Sequence, residues 1–84
     1  MSAFSEKVMH VVTRIPRGTT RSYADVARRA GSPRAARAVG SILKRNFDPA
    51  IPCHRVIHSD GSLGEYNRGG ERAKCRKLRS EGAI

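Results

Sequence analysis

Phe4, Val8, Val11, Val12 and Ile15 recur at i, i+4, i+7, i+8 and i+11, the spacing of one face of an amphipathic helix. Pro16-Arg17-Gly18 ends that helix. Ser22 precedes Tyr23-Ala24-Asp25, a hydroxyl followed three residues later by an acid, which resembles a capping box with Asp as a poorer partner than Glu. A short helix over 23–30 follows, turning Val26 and Ala27 inward, and Gly31 supplies its left-handed cap. Ser32 and Pro33 then read as N-cap and first residue of another helix, running through Ala35, Ala36, Ala38, Val39, Ile42 and Leu43 to Arg45. Beyond a loop at 46–50, Val56 and Ile57 predict a short buried extended stretch or a hairpin arm, and Ser59-Asp60-Gly61-Ser62 a turn. Gly64, Gly69 and Gly70 bracket a mobile loop around Tyr66. A last helix is expected over 71–81, with Ala73, Cys75 and Leu78 as its apolar contacts and Gly82 as its cap. The pattern predicts one mainly α domain over 1–84, small and winged-helix-like. Two helices joined by a glycine turn make a helix-turn-helix, accompanied by a short hairpin or extended segment.

A chain of 84 residues, 38% of them apolar, builds one thin core and excludes a multidomain enzyme. No run of about 18 apolar residues predicts a membrane span, and no signal sequence opens the chain. The expected location is the cytoplasm or nucleoid, or the nucleus in a eukaryote. Charge changes the picture more. The net charge is +10, and 13 of the 17 basic residues are Arg. Residues 14–45 hold nine bases against the single acid Asp25, a net of +8, whereas 46–65 is net −2. Such a basic segment points to a polyanion, with a merely solvated basic surface as the alternative, and arginine suits bidentate phosphate contact better than lysine. The front of the second helix combines Arg34 and Arg37 with the small Ala35 and Ala36. An ordinary αα-hairpin with an Ala-rich packing face is the alternative, but the local +8 favours DNA.

Cys53 and Cys75 stand 22 positions apart, and nothing in the chain calls for a disulfide. Cys53, His54, His58 and Cys75 match no paired ligand spacing, so neither a metal nor another cofactor is expected. The sharpest feature is Pro52-Cys53-His54-Arg55-Val56. Pro52 fixes one dihedral and removes one donor, so Cys53 sits in a constrained turn. A thiol becomes a nucleophile through a lowered pKa or an adjacent base, and His54 and Arg55 follow at once. A buried, inert cysteine is the alternative that these residue types leave open.

These residues resemble the C-terminal domain of the O6-alkylguanine-DNA alkyltransferases, from about Phe4 to Gly82. The likeness is carried by Ile15-Pro16-Arg17-Gly18, Ser22-Tyr23-Ala24-Asp25-Val26-Ala27, Ala35-Ala36-Arg37-Ala38-Val39-Gly40, Asn46, Ile51-Pro52-Cys53-His54-Arg55-Val56-Ile57, Ser59-Asp60-Gly61-Ser62-Leu63-Gly64, Tyr66 and Glu81-Gly82. The resemblance implies that Cys53 accepts an alkyl group irreversibly from O6 of a flipped guanine in duplex DNA. His54 would be the base reaching the thiol through a water, Glu81 the carboxylate orienting it, and Asn46 the brace of the turn. Tyr23 would donate toward N3 of the guanine, and the carbonyls of Cys53 and Val56 would accept from its amino group. Tyr66 and the following loop would form the pocket wall, with the Asn67 amide near O6. Arg37 would fill the space left in the duplex. Arg34, Ala35, Ala36, Ser22, Arg21, Lys44 and Arg45 are the further expected DNA contacts, in the minor groove.

A monomer is expected, and beside the family the chain departs by lacking the usual N-terminal domain. In length the chain resembles the short alkyltransferase-like sensors, which bind O6-alkylguanine without chemistry and recruit repair factors; the intact Cys53 favours transfer. Glu65 stands where a neutral residue is more usual, an acid expected to weaken phosphate contact or raise the thiol pKa. The stretch 67–81 is one residue longer than in common members. Cys75 is expected in the core with Leu78, and His10 and His58 as surface or packing residues.

Overall fold

A computed structural model describes the chain at residues 3–64 and 66–84; Glu65 lies outside the described residues. Four helices, α1 (Ala3–Thr13), α2 (Tyr23–Arg29), α3 (Ala36–Lys44) and α4 (Gly70–Ser80), are accompanied by a 3-10 turn at Cys53–Arg55 and by two short strands, β1 (Arg21–Ser22) and β2 (Val56–Ile57). The apolar stripe of α1 is the nucleus of the core. Val8 and Val12 are fully buried, and Ile15, just past the helix, joins Val26, Ala27 and Ala30 of the α2 segment, Val39 and Leu43 of α3, and Val56. The helical periodicity of the sequence is therefore expressed as a three-helix cluster on which the remaining elements are laid.

Local chemistry sets the element boundaries. Ser22 caps α2 as expected, its hydroxyl accepting from the Asp25 amide at 2.9 Å. The Asp25 carboxylate turns instead to guanidiniums. It accepts from Arg29 Nε at 2.8 Å and from Arg28, and it lies 3.6 Å from Arg21. Burial pushes the Asp25 carboxyl upward, but its bonds to Arg29 and Arg28 prevail and hold it below its ordinary value.

At the end of α2, Gly31 has φ +91°. Its amide donates to Arg28 O at 3.0 Å, and the Ser32 amide reaches back to Ala27 O at 2.9 Å, the paired bonds of a Schellman cap. This cap overturns the expected start of the next helix. The Ser32 amide is committed to the preceding helix, and its carbonyl accepts from Ala35 N in a turn. α3 starts only at Ala36, with Ala35 as an N-cap that makes no side-chain bond. Arg34 and Ala35 thus belong to the turn, not to the helix face.

β1 and β2 pair in parallel, Arg21 opposite Val56 and Ser22 opposite Ile57. A two-residue hairpin loop joins only antiparallel strands, so the extended-segment alternative holds. Because α2 starts immediately after β1, the pairing brings Tyr23 beside the segment that carries Cys53.

α4 ends as α2 does. Gly82 has φ +75°, its amide bonds Arg79 O at 3.0 Å, and the Ala83 amide bonds Leu78 O at 2.9 Å. Glu81 is thereby fixed as the C-cap residue. Leu78 is fully buried as predicted, but the second inward position belongs to Lys74, 1% exposed, while Cys75 is only half-buried. Both cysteines are free.

Candidate functional site

Three backbone bonds shape the turn at Cys53. Its amide donates to Ile51 O at 2.8 Å, Arg55 N donates to Pro52 O at 3.0 Å, and Val56 N donates to Cys53 O. With φ −80° and ψ 64°, Pro52 is the pivot that the sequence called for. The side chain of Cys53, 5% exposed, lines an open cavity of about 630 Å³. Tyr23, Tyr66 and Asn67 line it together with Ala36, Arg37 and Lys44 from α3.

Behind the thiol lies a network of buried charge. His54 Nε2 is 3.0 Å from Glu81 Oε2, and each side chain is 8% exposed. Arg55 donates from Nε to Glu81 Oε1 at 3.0 Å and from Nη2 to Oε2 at 2.7 Å, a two-pronged clamp, while its Nη1 bonds Ile15 O at 2.8 Å. The Arg55 bond is the main reason that the Glu81 carboxyl falls to about 2, with His54 adding to it against the opposing effect of burial. Glu81 in turn raises the Arg55 guanidinium above its ordinary value. Burial lowers the His54 pKa, with Glu81 opposing, which favours the neutral imidazole, the form able to accept a proton. Gly18, at the end of the α1 connection, passes so close that a Cβ there would meet Glu81 O at 3.2 Å.

A second group stands behind Tyr23. Lys74 Nζ donates to Tyr23 Oη at 3.3 Å and to Leu63 O at 2.5 Å. Burial lowers its pKa to about 8, against the favourable field of Cys53 and Glu71, so it remains mostly charged at neutral pH. Lys74 donates to the phenol oxygen, so the proton in that contact is the ammonium's, not the hydroxyl's.

The far wall is tied by amides. Asn67 Nδ2 donates to Lys44 O and Asn46 O, both at 2.7 Å, and to Leu43 O at 3.4 Å. One side chain thus takes up the last carbonyls of α3 and fastens the Tyr66 loop to them. Asn46, buried, accepts from the Asp48 amide at 3.1 Å. Arg68 Nη2 adds a bond to Asp48 O at 2.6 Å.

Of the residues singled out in the sequence, Cys53, Tyr23, Tyr66, Asn67, Arg37, Lys44 and Ala36 share one cavity, and His54 and Glu81 meet behind it. The side chain of Val56 belongs to the core rather than the cavity wall, and Ser22 is spent on capping α2. Arg21 pairs with Asp25, while Arg34 and Arg45 are exposed at either end of α3. The extra length of 67–81 leaves Glu81 in reach of His54. Three residues were missed. Arg55 was read only as added positive charge, and nothing local announced that Glu81, 26 positions away, would clamp it. Lys74 was legible in part, since it stands at i, i+4 with Leu78, but a lysine there reads as solvated. His58, expected as surface or packing, lines the cavity.

The chain is 49% identical over 80 residues to a methylated-DNA–protein-cysteine methyltransferase of Methanothermobacter thermautotrophicus, covering 94% of this chain and 44% of that one. It therefore spans less than half the length of that relative. The crystal structure of Mycobacterium tuberculosis OGT in complex with DNA matches with a TM-score of 0.90 at 40% identity, over 96% of this chain and 49% of that one. Schizosaccharomyces pombe Atl1, in complex with damaged DNA containing O6-carboxymethylguanine, matches with a TM-score of 0.86 at 34% identity, over 98% of this chain and 78% of that one. A family profile described as 6-O-methylguanine DNA methyltransferase, DNA binding domain, matches residues 3–83, and the chain belongs to that family.

Proposed function

We propose that this chain repairs DNA by moving an alkyl group from O6 of a guanine, rotated out of the duplex, onto Cys53 in a single turnover. The observation that carries this reading is the buried Cys53 at the cavity wall, directly followed by His54, whose imidazole is held by Glu81. In the reaction the Cys53 proton passes to His54, through a water. The thiolate attacks the alkyl carbon, the S–C bond forms and the C–O6 bond breaks. Guanine leaves as a neutral base when N3 takes a proton from Tyr23, whose oxygen is steadied by the Lys74 ammonium. Glu81, locked by Arg55, keeps the imidazole in one orientation and stabilises the imidazolium once it forms. The thioether is stable, so the protein is consumed.

Extruding a nucleotide costs a few kcal/mol, least for a damaged pair. The exposed arginines of the α2–α3 side would offset this through backbone contacts, with Arg37 at the cavity edge filling the gap. A cavity of about 630 Å³ accommodates a purine with its alkyl group, and holding that carbon in line with sulfur supplies the proximity effect.

A second reading is a lesion sensor that holds O6-alkylguanine without chemistry. It is favoured by the likeness to Atl1, of which this chain covers 78%, and opposed by the intact cysteine. Incubation with duplex containing O6-methylguanine, followed by weighing the peptide bearing Cys53, separates the two. The expected result is the gain of one methylene. Tight lesion binding with no gain in mass establishes the sensor, and equal affinity for lesion and plain duplex rejects both.

A further inference from the structure

The turn after β2 carries a group that alkyl transfer does not use. His58 is exposed, yet its ring is held. Its centroid lies 4.9 Å from that of Tyr23 at an interplanar angle of 46°. Gly64, with φ +76°, passes so close that a Cβ there would stand 2.7 Å from His58 Nε2. The backbone is fixed as well. His58 N donates to Ser62 O at 2.9 Å, and Gly61 N donates to His58 O at 3.0 Å. Asp60 Oδ1 accepts from both the amide and the hydroxyl of Ser62. The imidazole is thus set into the cavity wall made by Tyr23 and Gly64, whereas Arg37 and Lys44 come from the α3 wall.

We propose that His58 is a third cation at the mouth of this cavity, taking a phosphate of the extruded nucleotide and making DNA engagement depend on pH; the inference rests on the repair reading above. A nucleotide whose base enters the cavity carries a phosphate on either side of its sugar, and both stay at the mouth. α3 offers cations to one of them. On the other wall, Tyr23, Gly64, Tyr66 and Asn67 are neutral, and Lys74 is buried behind Tyr23 with its ammonium on Tyr23 Oη and Leu63 O. Among the described residues that line the cavity on that side, His58 is the one able to carry positive charge toward the phosphate. Imidazole ordinarily changes charge between pH 5 and 8, and an adjacent phosphate favours the charged form.

The surrounding groups are of both signs. Asp60 on the same turn and Glu71, which flanks Gly64 from α4, attract an imidazolium. Lys74 behind Tyr23 and Arg37 and Lys44 on α3 repel it, and the phenols of Tyr23 and Tyr66 and the Cys53 thiol line the same cavity among the described residues. A phosphate arriving among these cations relieves the repulsion, so proton uptake and DNA binding are linked.

The test is binding of duplex containing O6-methylguanine by the full chain in a Cys53→Ala background, where no transfer removes the complex. It compares His58, His58→Phe and His58→Arg at about pH 5.5 and about pH 7.0 across a salt series. With His58 present, affinity is expected to be several-fold higher at the lower pH. Its salt slope should be steeper there by about 0.9, the value for one phosphate neutralised. His58→Phe keeps an aromatic ring against Tyr23 and should lose the difference between the two pH values. His58→Arg should show the steeper slope at both. His54 and His10 are unchanged in all three, so the comparison isolates position 58. If His58→Phe retains the full pH dependence, the role of His58 is overturned while the repair reading stands. If none of the three proteins prefers lesion duplex at either pH, the repair reading falls and takes this role with it.

Discussion

The cluster joining the 3-10 turn to the end of α4 and the basic side formed by α2 and α3 hold their charges in opposite ways. In the first, a buried imidazole, a part-buried guanidinium and a part-buried carboxylate are joined by three bonds of 2.7–3.0 Å. In the second, Arg34, Arg37 and Arg45 are exposed and make no ion pair among the described residues, and Asp25 is shared by Arg21, Arg28 and Arg29. Buried pairs contribute little net stability but are costly to break, so the first arrangement fixes geometry. Exposed charges contribute little to folding and act at a distance on a polyanion, so the second attracts. On the proposed function, the difference makes chemistry and capture separable, by salt and by mutation.

The largest effect expected is at the thiol. Cys53→Ala should abolish methyl transfer completely while lesion binding persists, read by peptide mass and by gel shift in parallel. Residual demethylation would remove Cys53 from the acceptor role. Next is Glu81→Gln. It leaves the part-buried Arg55 guanidinium without its counter-charge, and the cost is at most about 3 kcal/mol of stability, read from the urea midpoint. The sign with pH is fixed by the lowered carboxyl. Glu81 titrates at about 2 in the fold, well under its ordinary value. Its stabilisation is therefore complete above the unfolded value and is lost as pH falls toward 2. The variant should lack that acid-dependent loss, and an unchanged acid limb would mean that the clamp does not stabilise the fold.

What was readable in the sequence divides along the same line. Ser22 as a cap, Gly31 and Gly82 as left-handed ends, and the α1 stripe are decided by neighbours within four residues, and all were found. The helix start assigned to Ser32 and Pro33 failed because two signals overlap in one short turn. A Schellman cap on α2 claims the amide of Ser32, and the carbonyl goes to Ala35, so the next helix is delayed. The site was legible as residues but not as bonds. Cys53, His54 and Glu81 stood out through family resemblance. The Arg55 clamp, the Lys74 ammonium on Tyr23 and the Asn67 amide on the α3 carbonyls join positions 26, 51 and 21–24 apart. No periodicity encodes such distances; they follow from the parallel β1–β2 pairing and the placement of α4.

Arg37→Ala sharpens the comparison from the exposed side. The side chain is exposed, lines the cavity mouth and makes no hydrogen bond or ion pair among the described residues. The urea midpoint should therefore stay at the wild-type value, while extrusion of the lesion, read by a fluorescent base analogue, weakens. Unchanged extrusion would take Arg37 out of that role, and a shifted midpoint would mean that the exposed side also holds the fold together.

The smallest effects come from a matched pair of glycines, one at each region. Gly31 at φ +91° and Gly82 at φ +75° close the two Schellman ends, and a Cβ at either position would meet no atom within 4 Å. Sterics around the side chain therefore cancel, and what remains is the backbone cost of a left-handed alanine, about 1 kcal/mol at each site. Equal shifts in the urea midpoint are expected for Gly31→Ala and Gly82→Ala. Their consequences for chemistry should differ. Gly82 follows Glu81, whose position as C-cap residue aims its carboxylate at His54 and Arg55, whereas Gly31 borders a turn with no bond to that cluster. The rate of methyl transfer at saturating lesion duplex should fall for Gly82→Ala and hold for Gly31→Ala. Equal loss of rate in both would mean that the chemistry senses global stability, and that the buried cluster has no geometry of its own to protect.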